Sequence, residues 1–306
     1  MKSKFLLTVA LLLIGLGTLL VVQTASLGKL RLIFCDVGQG DGILIVTPLG
    51  KQVVVDGGPG SKIIDCLSNN MPFWDRNIEM MLLTHPQKDH MEGQVEIFAR
   101  YKVEKVVYTG VKNDTDLARI WEKALLGERS QVIFANAGDV ALLDNRGSTP
   151  NRGRTSNGPS IEILWPFDSA PFDKSQGKQG KPSIEYWKVN PPKDLNETSI
   201  VTRLNYGAIC IYLTGDIPKE ILEGIINKPC QVLKIAHHGS RTGTNETVLD
   251  KIAPKLAIIQ VGKNSFGHPH KEVINMLESK GIKILRNDTS GTVEVESDGK
   301  SLIIQN

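Results

Sequence analysis

Thr84-His85-Pro86-Gln87-Lys88-Asp89-His90 sets two histidines and an aspartate in one short turn, directly after the apolar, strand-like run Ile78 to Thr84. A helical pattern opens near His90, so these side chains lie where a strand hands over to a helix. Spaced in this way they can converge on one point, and a helix N-terminus adds positive potential that favours anionic ligands. Two further clusters follow, Ala236-His237-His238-Gly239-Ser240 and Gly267-His268-Pro269-His270. All six histidines of the 306-residue chain fall in these three places. Between the first and second, Leu213-Thr214-Gly215-Asp216 is an apolar run that ends in a lone carboxylate. One such cluster is more often a structural turn. Together, at the ends of strand-like runs, they read as a metal centre assembled from distant segments, because neutral imidazole and carboxylate are the usual ligands of Zn, Mn and Fe.

Outward from that turn, β-branched runs alternate with helical patterns. Leu30 to Cys35, Ile43 to Thr47 and Gln52 to Val55 read as an antiparallel meander with turns at Gly38 to Asp41 and Leu49-Gly50. Strand Ile78 to Thr84, a helix over His90 to Tyr101, strand Val103 to Val107, a helix over Thr115 to Leu126 and strand Gln131 to Phe134 continue it as βαβα alternation. Strand Ile161 to Leu164 and a hairpin over Ser199 to Leu204 and Ala208 to Leu213 open a second half. Helices Lys219 to Ile226, Asn245 to Ile252 and Lys271 to Lys280 follow, interleaved with strands Gln231 to Ile235 and Leu256 to Val261. Strands Lys283 to Arg286, Gly291 to Glu296 and Ser301 to Ile304 close it. Two such halves predict two sheets packed face to face with helices outside, and loops at one edge that gather the histidine clusters.

With 41% hydrophobic and 23% charged residues the chain can bury a core, and a net charge of +3 does not by itself announce a nucleic-acid binder. Phe5 to Val22 is almost wholly apolar, follows Lys2 and Lys4, and precedes the small-residue stretch Gln23-Thr24-Ala25-Ser26. It reads as an export signal or a signal anchor, at the short end of the roughly 17 to 25 residues that cross a bilayer. The expected organisation is a leader or single transmembrane anchor over residues 1–27 and one globular domain over 28–306, on the outer side if the lysines stay in the cytoplasm. A cleaved leader would release the domain instead. Asp144 to Ser160 and Asp168 to Asp194 are long polar loops, either functional lids or without fixed structure. Cys35, Cys66, Cys210 and Cys230 show no paired spacing; buried free thiols are expected at Cys35 and Cys210, and an exported location permits a disulfide without requiring one.

Thr-His-Pro-x-x-Asp-His followed by Gly93 resembles the HxHxDH loop of the metallo-β-lactamase fold. Asp36-Val37-Gly38-Gln39-Gly40-Asp41 with Asp56-Gly57-Gly58 resembles a narrower branch, the extracytoplasmic metallo-β-lactamase-like domain of the ComEC competence proteins. Leu195-Asn196-Glu197-Thr198-Ser199, Leu213-Thr214-Gly215-Asp216, Lys234-Ile235-Ala236-His237-His238-Gly239-Ser240 and Val261 through His270 look like its later motifs, in the same order.

The resemblance implies an αββα sandwich with a metal site at its edge and hydrolytic chemistry, in ComEC-like proteins against DNA phosphodiesters. Carried over by position, Asp89, His90, Asp216 and one of His237 and His238 form one metal site, with Asp216 bridging to a second that includes His85. His238 is the expected ligand, and His237 the donor to charge developing on phosphorus. Two departures stand out. Gln87 occupies the third position of HxHxDH, where relatives carry His or Asp, and no histidine lies between His90 and His237 to supply the middle ligand. One or two divalent ions are implied, Mn²⁺ or Mg²⁺ ahead of Zn²⁺ for an oxygen-rich set.

Asp36 and Asp41 either orient water or a ligand, or Asp36 with Gly38 to Gly40 only builds a tight turn. Asp36, Asp89 and His237 form the expected catalytic set. Asp56 is expected behind the ligands rather than among them. Ser240, His268 and His270 are expected on the substrate side, with helix capping the competing role for the last two. The expected activity is a phosphodiesterase or nuclease outside the cytoplasm, with DNA, the membrane and a DNA-uptake machinery as partners. A hydrolase of smaller cell-surface phosphoesters uses the same residues. A nucleic-acid-binding module that has lost metal competence is the reading Gln87 favours.

Overall fold

The computed structural model describes residues 28–144, 158–166 and 192–305. The expected leader or anchor lies outside the described residues, as do most of the two polar stretches. Among the described residues no helix is long and apolar enough to cross a membrane.

In the first half, β1 (Leu30–Phe34), β2 (Ile43–Val46) and β3 (Gln52–Val55) form the antiparallel meander. Helix α1 (Lys62–Asn70) follows, then β4 (Asn77–Ile78), β5 (Met80–Leu82), α2 (Lys88–Phe98), β6 (Lys102–Val103), β7 (Lys105–Tyr108), α3 (Asp116–Glu128) and β8 (Gln131–Phe134). Strands β3, β5, β7 and β8 run parallel. The second half comprises β9 (Val140–Leu142), β10 (Ser160–Trp165), β11 (Val201–Tyr206), β12 (Ile209–Leu213), α4 (Lys219–Ile225), β13 (Val232–Lys234), α5 (Glu246–Ile252), β14 (Leu256–Ile259), α6 (Lys271–Ser279) and β15 (Lys283–Arg286). Its sheet is antiparallel from β9 to β12 and parallel from β12 to β15.

After the short α7 (Asn287–Ser290), β16 (Val293–Ser297) and β17 (Leu302–Gln305) leave the second half and join the first sheet beside β1. The register explains the crossing: Leu32 faces Val295 and Phe34 faces Val293, so β16 extends the apolar face of β1. The result is an eight-stranded and a seven-stranded sheet. Alternate β1 residues show both sides of the first sheet to be buried. Leu30, Leu32 and Phe34 enter the core between the sheets, while Ile33 and Cys35 pack with Ile63, Leu67, Ile97 and Trp121 under the helices. Strands covered on both faces, with helices outside, make the four-layer sandwich expected from the alternation.

Three expectations are corrected. Helix α1 was not expected, although its buried residues Ile63, Cys66 and Leu67 stand at the i, i+3 and i+4 spacing of one helix face. Helix α2 begins at Lys88 rather than near His90, so Asp89 and His90 sit in its first turn, where a carboxylate interacts favourably with the exposed N–H groups. The cysteines are not free thiols: Cys35 joins Cys66 and Cys210 joins Cys230, with Cα separations of 5.9 and 5.1 Å. One bridge ties β1 to α1 and the other ties β12 to the entrance of β13, contacts that no local spacing announces. Loops of 31 and 20 residues closed in this way constrain the unfolded chain by roughly 3–4 kcal/mol each.

Candidate metal centre

Every element that carries a candidate site residue delivers it to one edge of the sandwich. The β1–β2 turn brings Asp41, the end of β3 Asp56, the segment after β5 Thr84 and His85, the first turn of α2 Asp89 and His90, the end of β12 Asp216, and the turn after β13 His237 and His238. The Gly57–Gly93 contact brings two of these segments together. A Cβ on Gly93 would stand 2.0 Å from the Gly57 carbonyl oxygen, so only glycine lets α2 approach the end of β3. Gly57 N–H donates to the His90 carbonyl at 2.7 Å across the same contact.

Asp89, His90, Asp216 and His238 form a group able to hold a metal ion, their ligand atoms all within 4.8 Å of one another. His90 Nε2 lies 3.3 Å and His238 Nε2 3.2 Å from Asp216 Oδ2, and Asp89 Oδ2 lies 3.4 Å from His238 Nε2. Four donors about 2.0–2.1 Å from a shared tetrahedral ion would stand about 3.3 Å apart, so these separations suit one ion. Both Nε2 atoms are buried without a hydrogen-bond partner. Their Nδ1 atoms are held from behind, His90 by Asp56 Oδ2 at 2.8 Å and His238 by the Gln260 carbonyl at 2.8 Å. A ring pinned through one nitrogen presents the other inward.

Asp56 is itself fixed, accepting from Thr84 N–H at 2.8 Å and Thr84 O–H at 2.7 Å. Its φ is +57°, and His237 and His238 both lie at +53°. Left-handed backbone at three non-glycine residues costs on the order of 1–3 kcal/mol apiece and persists where the surroundings impose it, most often at functional sites. Here it reverses the chain after β13 so that His238 enters the cluster while His237 stays at its rim.

The electrostatics follow from buried carboxylates beside buried imidazoles. Burial opposes charge on His238, but the carboxylate of Asp216, with those of Asp89 and Asp41 close by, carries its pKa up to about 9. His90 is likewise raised well above its ordinary value against burial, by Asp216 and Asp56. Burial would raise Asp216, yet His238 and His90 hold it well below the usual carboxylate range. Burial would also raise Asp89, and the close approach of His238 with the charge of His90 holds it low. His85 moves the other way, lowered to about 3 by burial and by neighbouring His90. Imidazole ligates in its neutral form, so His90 and His238 would give up their Nε2 protons to hold an ion.

Of the other expected residues, His85 is brought to the cluster, its ring centroid 4.1 Å from that of His90 and its Nε2 buried and without a hydrogen-bond partner. Gln87 lines the cleft beside Asp89, Asp216, His237, His238 and His268, a space of about 370 Å³. His237 Nε2 lies 3.9 Å from Asp216 Oδ2, and Thr242 meets its Nδ1 at 3.2 Å. His268 stacks edge-on against His237, centroids 5.4 Å apart. His270 stands at the start of α6 without a side-chain capping bond and is absent from the cleft lining, and Ser240 is tied to Thr242 at 3.0 Å. Asp36 accepts from Gly38 N–H at 3.2 Å and faces Lys62, which is the turn-building arrangement.

The β1–β2 turn instead sends Asp41 inward, where it pairs with the fully buried Lys234 and lies 3.5 Å from His238 Nδ1. Lys234 also donates to the Gly215 carbonyl at 2.9 Å and stands 3.7 Å from Asp216 Oδ1. Ser199 accepts from Asp216 N–H at 3.1 Å and approaches His85 Nδ1 at 3.3 Å. Sequence reasoning assigns no role to Lys234, Ser199 or Gln260. A lysine closing the apolar run before the second histidine cluster was the available signal for Lys234.

The folded chain is matched over 84% of its length by YhfI of Bacillus subtilis, a metallo-β-lactamase fold protein, with 95% of that chain covered, TM-score 0.50 and 10% identity. This chain has a metallo-β-lactamase-like fold. The same architecture is found in CmlA, a diiron β-hydroxylase from Streptomyces venezuelae, at TM-score 0.50 and 12% identity, covering 90% of this chain and 54% of that one. In sequence, this metallo-β-lactamase-like chain is similar to competence proteins. ComE operon protein 3 of Bacillus subtilis is 26% identical over 293 residues, covering 85% of this chain and 32% of that protein. Competence protein ComA of Neisseria gonorrhoeae is 28% identical over 164 residues, 48% and 22% of the respective lengths. The chain thus spans about a third or less of the curated relatives it matches. No family model matches it.

Proposed function

We propose that this chain is a metal-dependent phosphodiesterase that acts on DNA outside the cytoplasm. The observation that carries the reading is the pair of buried histidines, His90 and His238, whose partnerless Nε2 atoms meet Asp216 and Asp89 at metal-binding separations beside an open cleft. Asp89, His90, Asp216 and His238 hold the principal ion. His85, with Asp216 and Gln87, forms a weaker second position, because an amide oxygen replaces a carboxylate or imidazole there. Two nitrogen donors suit Mn²⁺ or Zn²⁺ better than Mg²⁺. An ion at this position supplies hydroxide near neutral pH and shields the phosphate's charge.

The chain's own residues do the rest. Asp56 and the Gln260 carbonyl hold the two ligand rings in place, while His237 at the rim donates to charge developing on phosphorus. His268 forms the facing wall, where a phosphodiester would lie. The two disulfides are at home in an oxidising compartment, which supports an exported domain tethered by residues 5–22. Similarity to competence proteins supports DNA as the polymer and an uptake machinery as the context.

The first experiment measures metal content and Mn²⁺-dependent cleavage of single-stranded DNA and of bis-p-nitrophenyl phosphate. Cleavage of both supports the reading; cleavage of the small ester alone moves the substrate to smaller phosphoesters. Bound metal at neither position, in a folded protein that does not cleave, overturns it in favour of a binding module.

Two variants refine the assignment. Asp56→Asn keeps a residue type that tolerates positive φ but weakens the grip on His90, and metal affinity should fall about 10–100-fold by calorimetric titration. Unchanged affinity would mean that Asp56 does not orient the ligand. Gln87→Asp should tighten the second position, seen as a rise in bound metal per chain; an unchanged stoichiometry would remove Gln87 from it.

A further inference from the structure

We infer that the edge of the sandwich opposite the metal centre is a docking surface for an anionic lipid bilayer, with Phe73 and Trp74 as its interfacial anchors. Phe73 is 71% exposed and Trp74 56%, their rings 4.8 Å apart and nearly perpendicular, so they cover each other and stand out from the core. Scattered exposed apolar residues are ordinary. This pair has cations on its flank. Arg76 is exposed, its guanidinium 5.2 Å from the centroid of the Tyr101 ring and hydrogen-bonded to the Tyr101 hydroxyl at 3.1 Å. Exposed Lys102 is held next to it through its N–H on the Arg76 carbonyl at 2.8 Å. Among the described residues no carboxylate is within ion-pairing distance of Arg76 or Lys102, and Asp75 and Glu104 accept instead from Gln52 and Asn77. Aromatic rings beside Arg and Lys are the composition that settles at a lipid headgroup boundary.

The occupant follows from where the chain enters the fold. Strand β1 runs from this edge toward the metal centre and α1 runs back. Arg31 at the start of β1 donates to the Asn70 carbonyl and to Asn70 Oδ1, just before Phe73, at 3.5 and 3.3 Å. Gly28 N–H bonds the Pro48 carbonyl at 3.0 Å, beside exposed Leu49. The apolar segment ends at Val22, so the link to Gly28 reaches at most about 20 Å even when extended. If Phe5 to Val22 lies in a bilayer, this edge is held against its surface and the metal centre faces away. The inference rests on the anchored reading of that segment.

The test uses the full chain with phosphatidylcholine vesicles, with and without phosphatidylglycerol, carrying acyl-chain-brominated lipids that quench tryptophan. Residues 1–27 contain no tryptophan, so they contribute no signal. Quenching in wild type that is lost in Trp74→Phe is the expected result. The pair Arg76→Glu and Lys102→Glu should lower quenching on phosphatidylglycerol vesicles to the level seen without that lipid. Equal quenching in wild type and Trp74→Phe overturns the inference. Flotation with vesicles without quenching overturns it too, while leaving the anchor in place. A chain that does not float at all removes the anchored reading and the inference together.

Discussion

Asp216→Ala should abolish metal-dependent hydrolysis while leaving the fold intact. The carboxylate approaches both ligand imidazoles through Oδ2, at 3.3 Å from His90 and 3.2 Å from His238, and presents Oδ1 to Lys234 at 3.7 Å. Asp41 also approaches all three, but it meets the rings at Nδ1, 3.9 Å from His90 and 3.5 Å from His238, away from the inward Nε2 atoms. Asp89 bridges the two rings less closely, at 3.4 Å from His238 Nε2 and 4.0 Å from His90 Nε2. Loss of activity should therefore exceed the roughly 10–100-fold that removing an outer partner costs. The variant keeps the paired strands around it, since the Asp216 side chain makes no hydrogen bond to backbone. Circular dichroism, metal content and cleavage of bis-p-nitrophenyl phosphate together check the result. Full activity in a variant with normal spectra would withdraw the assignment of this centre.

Lys234→Met should destabilise the protein by about 3–5 kcal/mol, the usual cost of removing one member of a buried ion pair. Lys234 is fully buried and its ammonium is the cation directly paired with Asp41, itself almost wholly buried. Methionine fills the space of the stem but takes the ammonium away from buried Asp41, and frees the Gly215 carbonyl that the lysine satisfied. Denaturant unfolding in chelator measures the loss without a contribution from bound metal. The double variant Asp41→Asn with Lys234→Met should recover a large part of it, since the uncompensated charge is gone. A single-variant loss below about 1 kcal/mol would show that the pair is not what holds the β1–β2 turn against β13.

Much of the fold was legible because its signals are local. Strands β1, β2 and β3 are short runs of mostly apolar, β-branched residues, as strands buried on both faces are, and the helices that cover them carry their buried residues on one face. The clusters at His85 and His237, with Asp216, were legible as candidates because each follows an apolar run at a predicted strand end, and His268 and His270 because they flank a proline at a helix start. The choice of His238 over His237 as the inward ring needed the left-handed backbone at both residues, which no residue type in that turn specifies. Asp36 and Asp41 illustrate the same limit. Both flank Gly38-Gln39-Gly40, and only the path of the turn decides that one faces Lys62 at the surface while the other reaches buried Lys234.

The sequence by itself determined most of the order of strands and helices, α1 excepted, the sandwich class, the resemblance to competence proteins and the set of residue types available to a metal. Tertiary structure alone decided which of them meet: the pairing of all four cysteines, the return of β16 and β17 to β1, the Lys234 and Asp41 pair, the Gln260 carbonyl behind His238, and the removal of His270 from the cleft. The reason is range. Periodicity and turn chemistry act over a few residues, whereas each of these contacts joins segments far apart in the chain and depends on how two sheets twist and stack.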